Sequence, residues 1–249
     1  MAGEILVIRK KDVFSSILIE KGFSVINFPV IKTETLADLT ELENLLNEIE
    51  TFDGIFITSA KAAEIVSAKL KEMRKTFRGK FYVLGKRSAD LLKKSGEIFF
   101  DENATTAEEL LRLIPTAELE NKQFLFPRGN KSLRVVPETL RNIAEVSETL
   151  VYNTSEIETD ATKAAEIKEK IESEEIAAVC FFSPSGVEGF LKQFENFSQS
   201  KVKIAAFGQT TAQFIEANNL RVDFIAAKPI ATNFASELVN FLYFEKELN

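Results

Sequence analysis

This 249-residue chain carries the same kind of segment twice. Gly54-Ile55-Phe56-Ile57-Thr58-Ser59 reads as an apolar run of strand length followed by small hydroxyl residues, and Val179-Cys180-Phe181-Phe182-Ser183-Pro184-Ser185-Gly186 repeats that design. Phe81-Tyr82-Val83-Leu84-Gly85-Lys86-Arg87-Ser88 is matched by Ile204-Ala205-Ala206-Phe207-Gly208-Gln209-Thr210-Thr211. Ala107-Glu108-Glu109-Leu110-Leu111 is matched by Ala235-Ser236-Glu237-Leu238-Val239, and Ile5 to Arg9 more weakly by Phe124 to Arg128. The copies keep one order and stand roughly 120–130 residues apart. The chain therefore reads as an opening unit, a middle unit, and both again.

Each apolar run is short and barely alternating, as in strands covered on both faces. Strands alternate with helical patterns, which predicts α/β architecture with parallel sheets. Asp12 is placed to cap a helix carrying Val13, Phe14, Ile17 and Leu18, which Gly22 stops. Candidate unit boundaries are the Thr-, Ser- and Glu-rich segments around Lys32–Thr35 and Asn153–Thr159.

Composition narrows the chemistry. There is no His, so His-based nucleophile pairs and His-ligated metals are excluded. Neither G-x-G-x-x-G nor G-x-x-x-x-G-K-[ST] occurs. The single Cys180 lies in an apolar run and reads as a buried, inert thiol. A net charge of −7 argues against nucleic acid. No apolar run approaches the ~18–20 residues of a membrane span, and Met1-Ala2-Gly3-Glu4 lacks the basic start of a signal peptide. The cytoplasm is the expected location.

In a parallel sheet every strand-to-helix turn lies on one edge, where ligands bind. The turns Thr58–Lys61, Gly85–Ser88, Ser183–Gly186 and Gly208–Thr211 would all lie there, offering helix N-termini to an anion. Gly85 and Gly208 would allow a close backbone approach. The same residues are also ordinary helix caps and turn formers. Basic residues flank the turns: Arg9, Lys10, Lys11, Lys61, Lys86, Arg87, Arg128 and Lys131. Arg9 and Arg128 stand out because each closes a strand at the matching place in the repeat.

These segments resemble the uroporphyrinogen-III synthase family. The resemblance rests on Phe181 to Val187, Ala206 to Ala212, Tyr152 with Thr154, Phe28-Pro29-Val30-Ile31, Ile57-Thr58-Ser59 and the Thr232-to-Leu238 segment. It implies two similar parallel-sheet, flavodoxin-like domains joined by a two-stranded antiparallel linker near Val30–Thr35 and Val151–Glu156. Domain one would join residues 1–33 to 157–249, and domain two would be 34–156. The implied activity is cyclisation of hydroxymethylbilane, a linear tetrapyrrole with eight carboxylates, with inversion of the last ring and loss of water. It implies neither cofactor nor metal, and a monomer without nucleic-acid or membrane partners.

Carried over by the resemblance, Tyr152 is the candidate donor to the departing hydroxyl, since a phenol stays protonated at neutral pH. Gly208, Thr210, Thr211, Ser183 and Ser185 would bind substrate carboxylates, with Thr58, Ser59 and Ser88 as counterparts. Ser88 stands where the family more commonly has Thr. Arg9 and Arg128 are the favoured cationic contacts. Two rivals stay open: a non-catalytic or regulatory module of the same fold that binds an anionic ligand in a two-domain cleft, and a flavodoxin-like pair used for protein interaction.

Overall fold

The central strands of this chain are short apolar runs buried on both sides, and each is followed by a helix. The computed structural model describes residues 3–158, 160–199 and 202–247. The first half runs β1 (Glu4–Val7), α1 (Val13–Glu20), β2 (Val25–Asn27), β3 (Ile31–Thr35), α2 (Thr40–Asn47), β4 (Gly54–Ile57), α3 (Ala60–Glu72), β5 (Lys80–Val83), α4 (Lys86–Leu92), β6 (Glu97–Phe99) and α5 (Ala107–Leu113). It continues with β7 (Gln123–Gly129), α6 (Val135–Leu140), β8 (Glu145–Glu156), α7 (Ala161–Glu172), β9 (Ile176–Phe181), α8 (Pro184–Gln193), β10 (Lys203–Ala206), α9 (Gln209–Ala217), β11 (Phe224–Ile225) and α10 (Ala231–Glu247).

Two compact units emerge, residues 1–32 with 155–249, and residues 33–154. The first holds a five-stranded sheet in the order β11-β10-β9-β1-β2, the second a six-stranded sheet in the order β3-β8-β7-β4-β5-β6. All pairings within β11-β10-β9-β1-β2 and within β8-β7-β4-β5-β6 are parallel. The repeats in the sequence identify β9 with β4, β10 with β5 and β1 with β7. On that basis the order of the first sheet's five strands matches β6-β5-β4-β7-β8 of the second, with β3 as an addition, although the chain visits the strands in different sequence.

Strand alternation sorts the core into layers. In the first unit Leu6, Val179, Phe181 and Ile204 face α7, α8 and α9 through Ile167, Val187, Phe190 and Ile215. Their neighbours Ile5, Val7, Ala178, Cys180 and Ala205 face α1 and α10 through Phe14, Leu18, Phe234 and Leu238. In the second, Ile55, Ile57, Phe81 and Val83 meet Leu42, Leu46 and Val66, while Phe56, Tyr82, Phe124 and Phe126 meet Leu110, Val136 and Leu140. Phenylalanine supplies much of this filling; Phe234 alone has the rings of Phe14, Phe182, Phe207 and Phe224 within 6.0 Å. Each such burial contributes roughly 1.5–3 kcal/mol.

Asp12 caps α1 by accepting the Phe14 N–H at 3.1 Å, and Gly22 turns the chain with a φ of 86°. β3 lies beside β8. Ile157 N–H donates to the Val30 carbonyl at 2.9 Å, and Leu36 N–H to that of Val151 at 3.1 Å. The second of these strands is no separate element: it is the last part of the 12-residue β8, whose first part pairs with β7. Among the described residues no helix is long and apolar enough to cross a membrane.

Candidate active site

The parallel strands bring their carboxyl ends, and the turns that follow, to one edge of each sheet. In the first unit the strand order changes direction between β1 and β9, the place where such sheets open a crevice for ligands. The pairing of Val7 with Cys180, carried on two residues, sets Arg9 beside Phe182. The Arg9 guanidinium carbon lies 4.4 Å from the Phe182 ring centroid, and Nη2 lies 3.0 Å from an Asp12 carboxylate oxygen.

Ser183 caps α8, its Oγ accepting the Gly186 N–H at 3.2 Å and lying 3.2 Å from Ser185 Oγ. Capping uses the Ser183 oxygen as acceptor, and the contact with Ser185 uses one hydroxyl proton of the pair, which leaves the other to reach an anion. Gly208 precedes α9 in extended conformation, with φ at −174°, which any residue adopts. A Cβ there would meet only Pro229, at an ordinary 3.6 Å. Thr210 is half-buried and Thr211 buried, both in the first turn of α9.

The second unit repeats this arrangement. Ser59 caps α3 through the Ala62 N–H at 3.1 Å, with half-buried Thr58 before it. Gly85 opens α4 at a φ of 84°, so here the turn does call for glycine. Ser88 is 2% exposed. The pairing of Ile55 with Leu125, carried on three residues, sets Thr58 level with Arg128 at the end of β7.

Arg128 is engaged: Nε donates to Glu148 at 2.6 Å and Nη1 to the Gly129 carbonyl at 3.2 Å. Arg134 donates to both oxygens of the same carboxylate. The hydrogen bond from Arg134, then that from Arg128, hold the Glu148 carboxyl below the usual range against the opposing effect of burial. Lys86 likewise lies 3.4 Å from Asp90.

The three tyrosines differ. Tyr82 OH donates to Glu118 at 3.1 Å, in a recess at the opposite, amino-terminal edge of the sheet where Lys80 also meets Glu118 at 2.7 Å. Burial, then Glu118, push the Tyr82 phenol pKa up. Tyr243 OH donates to the Lys21 carbonyl at 3.0 Å. Tyr152 is half-buried, its ring packs against the core below α2 and α3, and its hydroxyl makes no hydrogen bond to any described residue. Cys180 is fully buried, and burial pushes its thiol pKa up, which suits an inert side chain. Among the described residues no cluster of acidic and Cys side chains is arranged to hold a metal ion.

Sequence reasoning passed over Glu148, Arg134, Gly129 and Asn130. Only the glycine left a signal, standing at the end of an apolar strand run much as Gly85 and Gly208 stand just beyond theirs.

Fold and turns together define a class: a chain of two parallel-sheet α/β units, each presenting hydroxyls and helix N-termini at the carboxyl edge of its sheet. Within that class the family description uroporphyrinogen-III synthase HemD matches residues 12–234. The chain belongs to the uroporphyrinogen-III synthase family. It is 27% identical over 230 residues to uroporphyrinogen-III synthase of Chlorobaculum parvum, covering 89% of this chain and 90% of the relative. It is 25% identical over 224 residues to that of Schizosaccharomyces pombe, covering 86% and 85%. Among solved structures it resembles a mutant uroporphyrinogen III synthase from Thermus thermophilus, with a TM-score of 0.69 at 17% identity over 99% of this chain and 100% of that one. The Helicobacter pylori enzyme gives 0.58 at 17% over 96% and 99%. At these identities the structural likeness speaks for the fold.

Proposed function

We propose that this chain cyclises hydroxymethylbilane to uroporphyrinogen III, with Tyr152 as the acid that helps the hydroxyl leave. One observation carries the role of Tyr152. Of the three tyrosines it alone keeps a hydroxyl that no described residue engages, at the carboxyl edge of its sheet.

The chemistry is a dehydration with no change of redox state. The C–O bond of the hydroxymethyl group breaks, and the Tyr152 proton goes to the departing oxygen, which leaves as water. The cation left behind is an azafulvene, attacked by the substituted carbon of the last pyrrole to give a spiro intermediate. After that ring is inverted and the macrocycle closed, the proton lost as the pyrrole regains aromaticity restores the phenol. General acid help of this kind is worth roughly 10²–10⁴-fold.

The two units serve as the two domains in this reading, and β3 with the end of β8 as the antiparallel linker between them. Substrate carboxylates are held by Ser183, Ser185, Thr210, Thr211 and the backbone at Gly208, and by Thr58, Ser59 and Ser88. The capping geometry of Ser59 and Ser183 supports this, since each oxygen accepts from the helix, leaving the Ser59 proton and one proton of the Ser183–Ser185 pair available. Arg9 and Arg128 contribute charge, although each rests on a carboxylate in the free protein. Positioning and electrostatics, more than proton transfer, would favour the bent conformer that leads to the inverted isomer. The reading carries with it a monomeric, cytoplasmic enzyme with no nucleic-acid or membrane partner; sedimentation across a concentration series tests the monomer.

The deciding experiment mixes the protein with freshly prepared hydroxymethylbilane and separates the oxidised products by chromatography. A predominance of isomer III supports the proposal. Isomer I at the rate of the unaided reaction would leave a non-catalytic binding protein of the same fold.

A further inference from the structure

We infer that Gly129 and Asn130 are positioning residues that set the Tyr152 hydroxyl, an inference that rests on the reading of Tyr152 as the proton donor. Three features of β7 and β8 converge on this residue.

The first is register. From Gln123 with Glu145 to Arg128 with Leu150 the two strands pair residue for residue, and then Gly129 pairs with Tyr152. Val151 is the extra residue of a β-bulge. Successive side chains of a regular strand point to opposite faces, yet Val151 is fully buried in the core below α2 and α3 and the Tyr152 ring packs against that same core. The bulge is what turns both to one side. Bulges re-aim side chains in this way.

The second is space. A Cβ built on Gly129 would overlap Cε2 and Cζ of the Tyr152 ring and stand 2.9 Å from Cδ2. The backbone of Gly129 is not in the left-handed region, so the turn itself does not call for glycine. The ring does: it lies across the glycine as across a bare floor.

The third is a grip on the backbone around the tyrosine. Asn130 N–H donates to the Tyr152 carbonyl at 3.3 Å. The Asn130 side chain donates from Nδ2 to the Thr154 carbonyl at 3.1 Å and accepts the Thr154 N–H at 2.8 Å. From the other side Leu36 N–H holds the Val151 carbonyl at 3.1 Å. The main chain is therefore fixed before and after Tyr152, and the ring is seated on Gly129.

The test is a set of kinetic cycles with hydroxymethylbilane: Tyr152→Phe, Gly129→Ala, Asn130→Asp, and each of the last two combined with Tyr152→Phe. Asn130→Asp keeps the shape and sets a carboxylate against the Thr154 carbonyl, so it serves where Gly129→Ala folds poorly, as judged by circular dichroism. A misplacement of about 1 Å costs up to roughly 10²-fold in rate. Gly129→Ala and Asn130→Asp should thus lower kcat about 10- to 100-fold with KM little changed. On the Tyr152→Phe background each should lower it less than about twofold, because the group being positioned is already gone. Wild-type kcat in both variants, or the same loss in both backgrounds, would overturn the inference. Wild-type turnover of Tyr152→Phe by itself would overturn the role of Tyr152. The two failures are distinct.

Discussion

The guanidinium of Arg9, at the end of β1, lies 4.4 Å from the ring centroid of Phe182, at the end of β9. That contact spans the point where the first sheet reverses its strand order. It joins a cation to the turn that carries Ser183 and Ser185. A chain of net charge −7 does not draw a polyanion by its overall field, so local cations matter. Arg9→Gln should raise KM several-fold, and more at 0.02 M than at 0.3 M salt, where screening flattens the difference. Steady-state kinetics at the two ionic strengths checks this. An unchanged KM at both would leave Arg9 as a structural tie between two turns.

Tyr152→Phe keeps the ring on Gly129 and removes only the hydroxyl. Turnover should fall by roughly 10²–10⁴-fold, with KM little changed. The product should remain isomer III, because inversion depends on the folded conformer of the substrate. Isomer analysis alongside initial rates reads both at once. Unchanged turnover would mean that water protonates the leaving group.

Glu148 should matter to stability, with a definite pH signature. Its pKa is lowered in the folded protein, chiefly by Arg134 and then Arg128. It therefore contributes stability above the unfolded value of about 4.3 and loses it as pH falls through the folded value. Glu148→Gln should unfold more easily in urea at pH 7 by roughly 1–3 kcal/mol, the lower end reflecting the exposure of Arg134. The gap should stay constant down to about pH 5 and close below about pH 4. A gap that opens toward acid pH would contradict the assignment.

Gly85 and Gly208 occupy matching turns and make different demands. Gly85 has a φ of 84°, and Gly208 is extended. Gly85→Ala should cost about 1–3 kcal/mol, because its φ of 84° with a ψ of 133° is a pairing that residues with a side chain rarely adopt, although nothing within 4 Å obstructs the added methyl. Gly208→Ala should cost less than about 0.5 kcal/mol, as at an unstrained site. Differential scanning fluorimetry of the pair distinguishes them.

Much of the fold was legible because it is written in local chemistry. Unbroken apolar runs announced the parallel strands, and Asp12, Ser59 and Ser183 are caps whose side-chain bonds lie within three residues. The contacts around Tyr152 were not legible. The bulge at Val151 is a mismatch between two strands, visible only when both are aligned. Glu148 reads as one more surface carboxylate until β8 brings it against Arg128 on β7. Likewise nothing in the local sequence says that β8 is 12 residues long, since its exposed and buried positions follow no single period.

The permuted chain order has a consequence for synthesis. The six strands of the second sheet, β3 to β8, all fall in one uninterrupted stretch, residues 31–156. The other sheet seats β1 between β2 and β9, so the opening segment waits through well over a hundred residues for its partner. Domains fold as units during translation, at about 5–20 residues per second. Emerging from the ribosome, the inserted unit is thus complete while the opening β-α-β segment of β1, α1 and β2 still shows the bare edge of β1 that β9 later covers, and the first sheet closes last.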